Sequence, residues 1–203
     1  MRVIGIAGGV ACGKSLVAEQ LRHRGALILD ADRAGHEVLA DEEVRRLLRQ
    51  RWGEEVFDDL GVVDRAAVAR IVFGPPPQGP RERTFLEQIT HPRIGARLRE
   101  QAGEARRQGA SVVVLDAPLL FEAGWHTLCD HILFVDAPRE VRLQRAQRRG
   151  WTDEQFRARE TAQVSVEEKR RRSDHVIDNA GSVSELARQV ERWWRTLSSA
   201  GER

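Results

Sequence analysis

The residues best suited to chemistry form a glycine-rich segment near the start of the sequence. Gly8, Gly13, Lys14 and Ser15 fit the pattern G-x-x-x-x-G-K-[ST], which is typical of loops that bind phosphate groups. Glycine lets the backbone take positive φ or lie against a ligand, so that N–H groups can surround an anion. We therefore expect Lys14 to reach the outer phosphates of a nucleotide and Ser15 to ligate Mg²⁺.

The sequence around this motif predicts the two elements that such a loop connects. Residues 3–7 form an apolar run typical of a buried strand, and residues 16–21 begin an amphipathic helix. The helix N-terminus would add partial positive charge to the anion site. Because strand, motif and helix occur in the required order, we favour a phosphate-binding loop over a glycine turn that matches by chance.

Lysine is rare in this chain. Of its 33 lysine and arginine residues, only Lys14 and Lys169 are lysines. A lysine within the loop motif of so arginine-rich a chain suggests a need for a compact ammonium rather than a planar guanidinium.

Two aspartates follow the apolar run 26–29. If the chain stays extended, Asp30 and Asp32 point the same way, toward the γ-phosphate. A carboxylate there can accept a proton from an attacking hydroxyl or hold Mg²⁺ through water. An Asx-turn or a helix N-cap is the alternative, equally acceptable for Asp30, whereas for Asp32 we favour the functional role.

A third aspartate ends the apolar run 112–115. Asp116 in this position resembles the acid that supports the metal in phosphate-loop enzymes. The pattern is weak alone and gains weight from the loop motif.

Arginines are dense between residues 139 and 159. Arg142, Arg145 and Arg149 have the spacing of one helical face. Arginines in a mobile lid can stabilise phosphoryl transfer and help to exclude water. The alternative is a solvated face that pairs with nearby acids, Glu140 among them, and we expect it to hold for most of these arginines.

The order of elements predicts an α/β fold. Strand-like runs at 3–7, 26–30, 111–116, 131–136 and 176–178 are interleaved with helical stretches. Continuous apolar strands of this kind are typical of a parallel sheet covered on both faces. Ligands bind beyond the carboxyl ends of such strands, where the aspartates and the loop would meet.

Composition limits the class of protein. A chain of 203 residues with 32% charged residues and a net charge of +2 is typical of a soluble domain and does not require nucleic acid or membrane. Two cysteines are too few for a disulfide framework, so we expect a cytoplasmic protein. Cys12 lies near Lys14 and a helix N-terminus, which would lower its pKa, although a small residue filling a tight loop is the favoured interpretation.

Three further segments carry structural expectations. Residues 74–80 predict a rigid proline-rich connector, and residues 183–197 predict a closing amphipathic helix. His91 is left without a role by its residue type alone, and Pro92 would end a turn or start a helix.

The chain as a whole resembles the dephospho-coenzyme A kinase family. The segments that carry the resemblance occur in family order and span nearly the whole chain: residues 5–9, 13–15, 30–32, 86–92, 116–122, 168–170 and 174–182. The loop motif is shared by many kinases, whereas the Asp-Ala-Asp, His-Pro and Pro-Leu-Leu-Phe-Glu segments together are specific to this family.

The resemblance implies a phosphate-loop, nucleotide-kinase-like three-layer sandwich with a parallel central sheet. The single domain would have its core at about 1–33, 110–138 and 174–203, a helical acceptor-binding region at about 34–109 and a lid at about 139–165. The implied reaction is transfer of phosphate from ATP to the ribose 3′-hydroxyl of dephospho-coenzyme A. The implied partners are this small molecule, ATP and Mg²⁺, with no nucleic acid or membrane, in a monomer or weak homo-oligomer.

The resemblance also implies roles for individual residues. The catalytic residues would be Asp32 as the base, Lys14, Arg142 and Arg145. The ATP-binding residues would be Gly8, Gly9, Val10, Ala11, Cys12, Gly13, Lys14, Ser15, Leu16 and Asn179. The acceptor would be bound by Asp32, His91, Leu120, Phe121 and Glu122, and the metal by Ser15 and Asp116.

The loop departs from the family pattern, which usually reads Gly-Ser-Gly-Lys-Ser-Thr. Here Ala11 replaces a glycine, Cys12 replaces a serine and Leu16 replaces a threonine whose hydroxyl would contact the α-phosphate.

Three alternatives to a dephospho-coenzyme A kinase stay open at this point. They are another phosphate-loop kinase, a regulatory nucleotide-binding protein and an inactive homologue.

Overall fold

A computed structural model describes residues 1–199 and shows an α/β architecture. The strands are β1 (Arg2–Gly8), β2 (Leu27–Asp30), β3 (Val112–Asp116), β4 (His131–Asp136) and β5 (His175–Asp178). The α-helices are α1 (Lys14–Arg22), α2 (Ala31–Leu39), α3 (Glu42–Trp52), α4 (Arg65–Val72), α5 (Gln78–Arg107), α6 (Arg139–Gln147), α7 (Asp153–Thr161), α8 (Val166–Arg171) and α9 (Val183–Ser199). Residues 200–203, the end of the predicted core segment 174–203, lie outside the described residues.

All five strands lie in one parallel sheet in the order β2-β3-β1-β4-β5. This confirms the predicted fold class. Strand β1 is central, with β3 on one side and β4 on the other. From β1 the chain runs to β2 and β3 on one side of it, and it then crosses to β4 and β5 on the other side. The loop that follows β1 therefore lies at the switch point where such sheets bind ligands.

The core beside the sheet explains why the apolar runs fold as strands. Ile4 and Ile6 of β1 are fully buried with Leu21 of α1 and with Leu186 and Val190 of α9. The predicted closing helix is thus confirmed, and its apolar face is part of this core. Burial of each such side chain contributes about 1.5–3 kcal/mol.

The chain divides into two units. Unit 1 comprises residues 1–30 and the chain from Gln101 onward, and it contains the whole sheet. Unit 2 comprises residues 31–100 and is helical, with a small core that includes Val44, Leu48 and Val56. Within unit 2 the buried carboxylate of Glu82 accepts hydrogen bonds from Arg51 and Trp52.

The structure corrects one proline expectation and the bounds of another. Pro92 lies inside the 30-residue helix α5, although we expected it to end a turn or start a helix. The connector predicted at 74–80 is shorter, because α5 begins at Gln78 and includes Pro80 in its first turn, where the missing N–H has no helical partner to lose.

No helix within residues 1–199 combines the length and apolar character that a membrane span needs.

Candidate active site

The loop between β1 and α1 makes its tight turn through close backbone approaches. Gly13 has φ +97°, and a Cβ atom there would lie 2.2 Å from Asn179 Nδ2. A Cβ on Gly8 would lie 2.4 Å from Cys12 Sγ and 2.7 Å from the Val135 carbonyl oxygen. Both positions therefore exclude a side chain, which is the physical reason for the two motif glycines.

Side chains from two other elements hold the loop by its carbonyl groups. The Cys12 carbonyl accepts hydrogen bonds from Arg145 Nη1 at 3.1 Å and from Asn179 Nδ2 at 2.8 Å. The Val10 carbonyl accepts one from Arg142 Nη1 at 3.3 Å. Arg145 also donates to the Asn179 carbonyl at 2.7 Å, so α6 and the residue after β5 are joined at the same point.

These contacts determine where the loop's N–H groups point. In a planar trans peptide the carbonyl and the following N–H point in opposite directions. Since the carbonyls of Val10 and Cys12 face the arginines, the N–H groups of Ala11 and Gly13 face away from them. Such oriented amides, together with the N–H groups of Lys14 and Ser15 at the start of α1, are suited to binding an anion.

Lys14 and Ser15 are the first two residues of α1. Ser15 is exposed and Lys14 half-buried. A phosphate at this helix N-terminus would meet the helix dipole and the ammonium together. Leu16, which follows them, is partly buried against the core beside the sheet.

Ala11 has a left-handed backbone, with φ +59°. The pattern that this chain resembles has a glycine here, and glycine adopts such a backbone conformation without a steric penalty. The left-handed region costs an L-residue about 1–2 kcal/mol relative to the right-handed one.

Cys12 is buried, and the expectation of a lowered pKa was wrong. Burial raises the pKa of its thiol, and the nearby Lys14 ammonium only partly opposes that effect. The alternative interpretation, a small residue filling a tight loop, agrees with its contact at Gly8. Burial likewise raises the pKa of Cys129 to about 12, with a smaller contribution from Asp130.

Aspartates lie at the carboxyl edge of the sheet, as predicted. In the strand register Asp116 is paired with Asp30 on β2 and with Ile6 on β1, directly before the loop. The inference that Asp30 and Asp32 point the same way was wrong, because the chain turns into α2 at Ala31 and Asp32 lies in its first turn. Asp32 is exposed and belongs to unit 2.

The arginine-rich region forms α6, α7 and the turn between them. Arg149 lies beyond the end of α6 at Gln147, so the predicted three-arginine helical face was wrong at its last member. Arg142 is buried and donates to Glu160 Oε1 at 2.7 Å, while Arg139 Nε donates to Glu160 Oε2 at 3.0 Å. Glu160 was not singled out from the sequence, because its 18-residue separation from Arg142 gives no local signal.

The residues implied for acceptor binding have different environments. Leu120 and Phe121 are buried, with Leu120 packed against Gly5 and Phe121 beneath the Arg172 guanidinium. Glu122 forms an ion pair with the buried Lys169. His91 lies within α5, in unit 2. The sequence analysis gave Lys169 no role, although its rarity as a lysine was a usable signal.

Comparison with known proteins identifies the family. The family model described as dephospho-CoA kinase matches residues 2–185. The chain belongs to the dephospho-CoA kinase family. The dephospho-CoA kinase of Deinococcus radiodurans is 42% identical over 197 residues, covering 97% of this chain and 92% of the relative. That of Symbiobacterium thermophilum is 40% identical, covering 96% and 81%.

Solved structures agree with this membership. A crystal structure from Thermus thermophilus has a TM-score of 0.78 at 36% identity, covering 97% of both chains. The dephospho-CoA kinase from Campylobacter jejuni has a TM-score of 0.73 at 25% identity, covering 98% of both. A shikimate kinase from Acinetobacter baumannii shares the fold, with a TM-score of 0.54 at 13% identity.

Replacing Ala11 with glycine is expected to stabilise the protein. Ala11→Gly removes the left-handed cost, and the net gain in the free energy of unfolding should be about 1 kcal/mol, measured by urea denaturation. Ala158→Gly in the exposed part of α7 is the matched control and should lower it by about 1 kcal/mol. If Ala11→Gly lowered the free energy of unfolding as much as Ala158→Gly does, the strain argument would be contradicted.

Both cysteines are expected to resist alkylation in the folded protein. Only the thiolate reacts, and burial disfavours it at Cys12 and Cys129. Iodoacetamide at pH 8, followed by peptide mass spectrometry, should label both sites much more slowly in buffer than in urea. Equal rates for Cys12 in the two conditions would show that the loop exposes a reactive thiol.

Proposed function

We propose that this chain transfers the γ-phosphoryl group of ATP to the 3′-hydroxyl of the ribose in dephospho-coenzyme A, giving coenzyme A and ADP. The observation that carries the proposal is the family match over residues 2–185, joined to a phosphate loop whose amides are oriented as an anion site. We further propose that the protein acts in the cytoplasm as a monomer or weak homo-oligomer, without nucleic acid or membrane.

The loop is proposed to bind the phosphates of ATP. The N–H groups of Ala11 and Gly13 and those of the first two residues of α1 would donate to phosphate oxygens, and the Lys14 ammonium would reach the outer phosphates. Arg142 and Arg145 would then have two roles. Their hydrogen bonds to the carbonyls of Val10 and Cys12 would hold the loop amides in place, and their positive charge would stabilise the phosphates. Asn179 would hold the loop from the adenine side through its bond to Cys12.

The donor groups beside the loop fit a magnesium ion. Mg²⁺ prefers oxygen ligands and is usually held by one or two carboxylates together with substrate phosphates. Ser15 supplies an exposed hydroxyl, and Asp116 supplies a carboxylate paired in register with Asp30. When bound, the ion would neutralise charge on the outer phosphates.

Asp32 is proposed as the general base. A ribose hydroxyl is a poor nucleophile at neutral pH, so a carboxylate that accepts its proton assists the attack. The first turn of α2 presents Asp32 to solvent directly after the strand that ends in Asp30. His91, Leu120, Phe121 and Glu122 are proposed to bind the acceptor, as the family resemblance implies, and most of the rate would come from positioning and charge stabilisation.

The activity is tested by ADP production with ATP and Mg²⁺, with and without dephospho-coenzyme A. We expect strong stimulation by this acceptor and coenzyme A as the product. Adenosine monophosphate and shikimate serve as control acceptors and should give none. ATP binding without stimulation by dephospho-coenzyme A would refute the proposal, and turnover with a control acceptor would replace it with another kinase activity.

The role of Asp32 is tested by Asp32→Asn, which removes the proton acceptor and keeps the shape. General bases typically contribute about 10²–10⁴-fold, so kcat should fall by at least about 100-fold. ATP affinity, measured by calorimetry, should stay nearly unchanged. Asp59→Asn, at an exposed position of unit 2, is the matched control and should keep full activity. Turnover like that of the wild type in the Asp32 variant would remove it as the base.

A further inference from the structure

Lys169 carries a buried ammonium that the proposed mechanism does not use. It lies on α8, and only 2% of its surface is exposed. Its Nζ lies 2.9 Å from Glu122 Oε1, 2.8 Å from Gln163 Oε1 and 3.5 Å from the Pro118 carbonyl oxygen. Three acceptors from three parts of unit 1 thus converge on one nitrogen.

The environment of Lys169 favours lysine over arginine. A compact ammonium has three donors that can meet converging acceptors, whereas a planar guanidinium needs acceptors arranged along its edges. The chain uses arginine almost everywhere else, so this lysine, like Lys14, stands where the shape of the cation matters.

Burial makes it energetically unfavourable to keep the Lys169 side chain charged. Burial lowers the pKa of Lys169, and nearby Lys14 lowers it further, while the bond to Glu122 opposes both effects. Buried ion pairs are often no more stable than apolar replacements, so stability alone does not account for this one.

The contacts of Lys169 connect two segments of different function. Glu122 ends the Pro118–Glu122 segment implied in acceptor binding. Its Oε1 accepts the Val164 N–H at 2.8 Å as well as the lysine, and its buried Oε2 has no partner among the described residues. Gln163 and Val164 belong to the linker between α7 and α8.

That linker forms one wall of a cavity beside the phosphate loop. The cavity has a volume of about 340 Å³, and Gly9 and Val10 of the loop also line it. Arg142 and Glu160 also line it. The lysine thus holds the wall of the phosphate-side cavity and the carboxylate of the acceptor segment in one arrangement.

We propose that Lys169 is a positioning residue for phosphoryl transfer: its ammonium holds Glu122 and Gln163 so that the acceptor segment is fixed relative to the phosphate loop. The proposal rests on the proposed function, because it needs Glu122 to serve the acceptor. Lys169 itself touches neither substrate. Its removal should therefore impair the use of dephospho-coenzyme A far more than the binding of ATP.

Four variants test this role. Lys169→Met removes the ammonium and keeps an apolar stem, and Lys169→Arg keeps the charge and changes its shape. Glu122→Gln and the double variant Lys169→Met/Glu122→Gln complete a thermodynamic cycle, and the double variant leaves no buried charge unpaired. Arg171→Met on the same helix is the matched control, because Arg171 is exposed and, among the residues that the structure describes, forms an ion pair only with Glu168.

The measurements separate positioning from folding. Circular dichroism gives Tm, calorimetry gives the Kd for ATP, and steady-state assays below every Tm give kcat and KM for dephospho-coenzyme A. We expect Lys169→Met to lose about 100-fold in kcat/KM for the acceptor, the size typical of a misplacement of about 1 Å, with ATP affinity little changed. Lys169→Arg should not restore kcat/KM for the acceptor, and Arg171→Met should have the kcat/KM and ATP affinity of the wild type.

The cycle then decides whether Lys169 acts through Glu122. If it does, the double variant is about as impaired as the worse single variant, although its Tm recovers. Any of three results would overturn the proposal. The losses in kcat/KM of the two single variants multiply in the double variant, or kcat/KM recovers in the double variant, or ATP affinity falls as much as kcat/KM for the acceptor. If Lys169→Met does not fold, the double variant and Lys169→Arg carry the test. A wild-type protein inactive with dephospho-coenzyme A would instead refute the proposed function.

Discussion

The site depends on one carbonyl oxygen, that of Cys12, and on the two side chains that hold it. Arg145 approaches from α6 and Asn179 from the end of β5, so two elements that are distant in sequence determine one peptide orientation. A glycine-rich loop has many conformations of similar energy, and only such external bonds select the one whose N–H groups converge. The parallel sheet makes this possible, because it brings the ends of β1, β4 and β5 to one edge.

Much of the fold could be predicted from the sequence, because the patterns that indicate its strands and helices are local. The five apolar runs are short and flanked by polar residues or glycine, so strand positions and the parallel arrangement followed from periodicity and order. The loop motif, the aspartate at 116 and the closing helix were placed correctly for the same reason. The identity of the acceptor and of the residues proposed to bind it came from the family resemblance, since no local pattern distinguishes one alcohol acceptor from another.

The errors share a physical cause, which is that tertiary packing decided the outcome. The charge around Cys12 suggested an acidic thiol, but complete burial outweighed it. Asp32 was placed in an extended segment, yet the helix begins one residue earlier. Pairs such as Arg142 with Glu160, and Glu122 with Lys169, join residues 18 and 47 positions apart, and only the folded chain shows them.

The scarcity of lysine gives the protein an unusual amine chemistry. One of the two side-chain amines is sealed in the interior, and the other stands at the phosphate loop. Among the described residues, amine-directed acylation in the folded state can therefore act only on the chain terminus and Lys14. A modification that in most proteins is spread over the surface would here report on the start of α1, and an anion bound there would shield Lys14 from it.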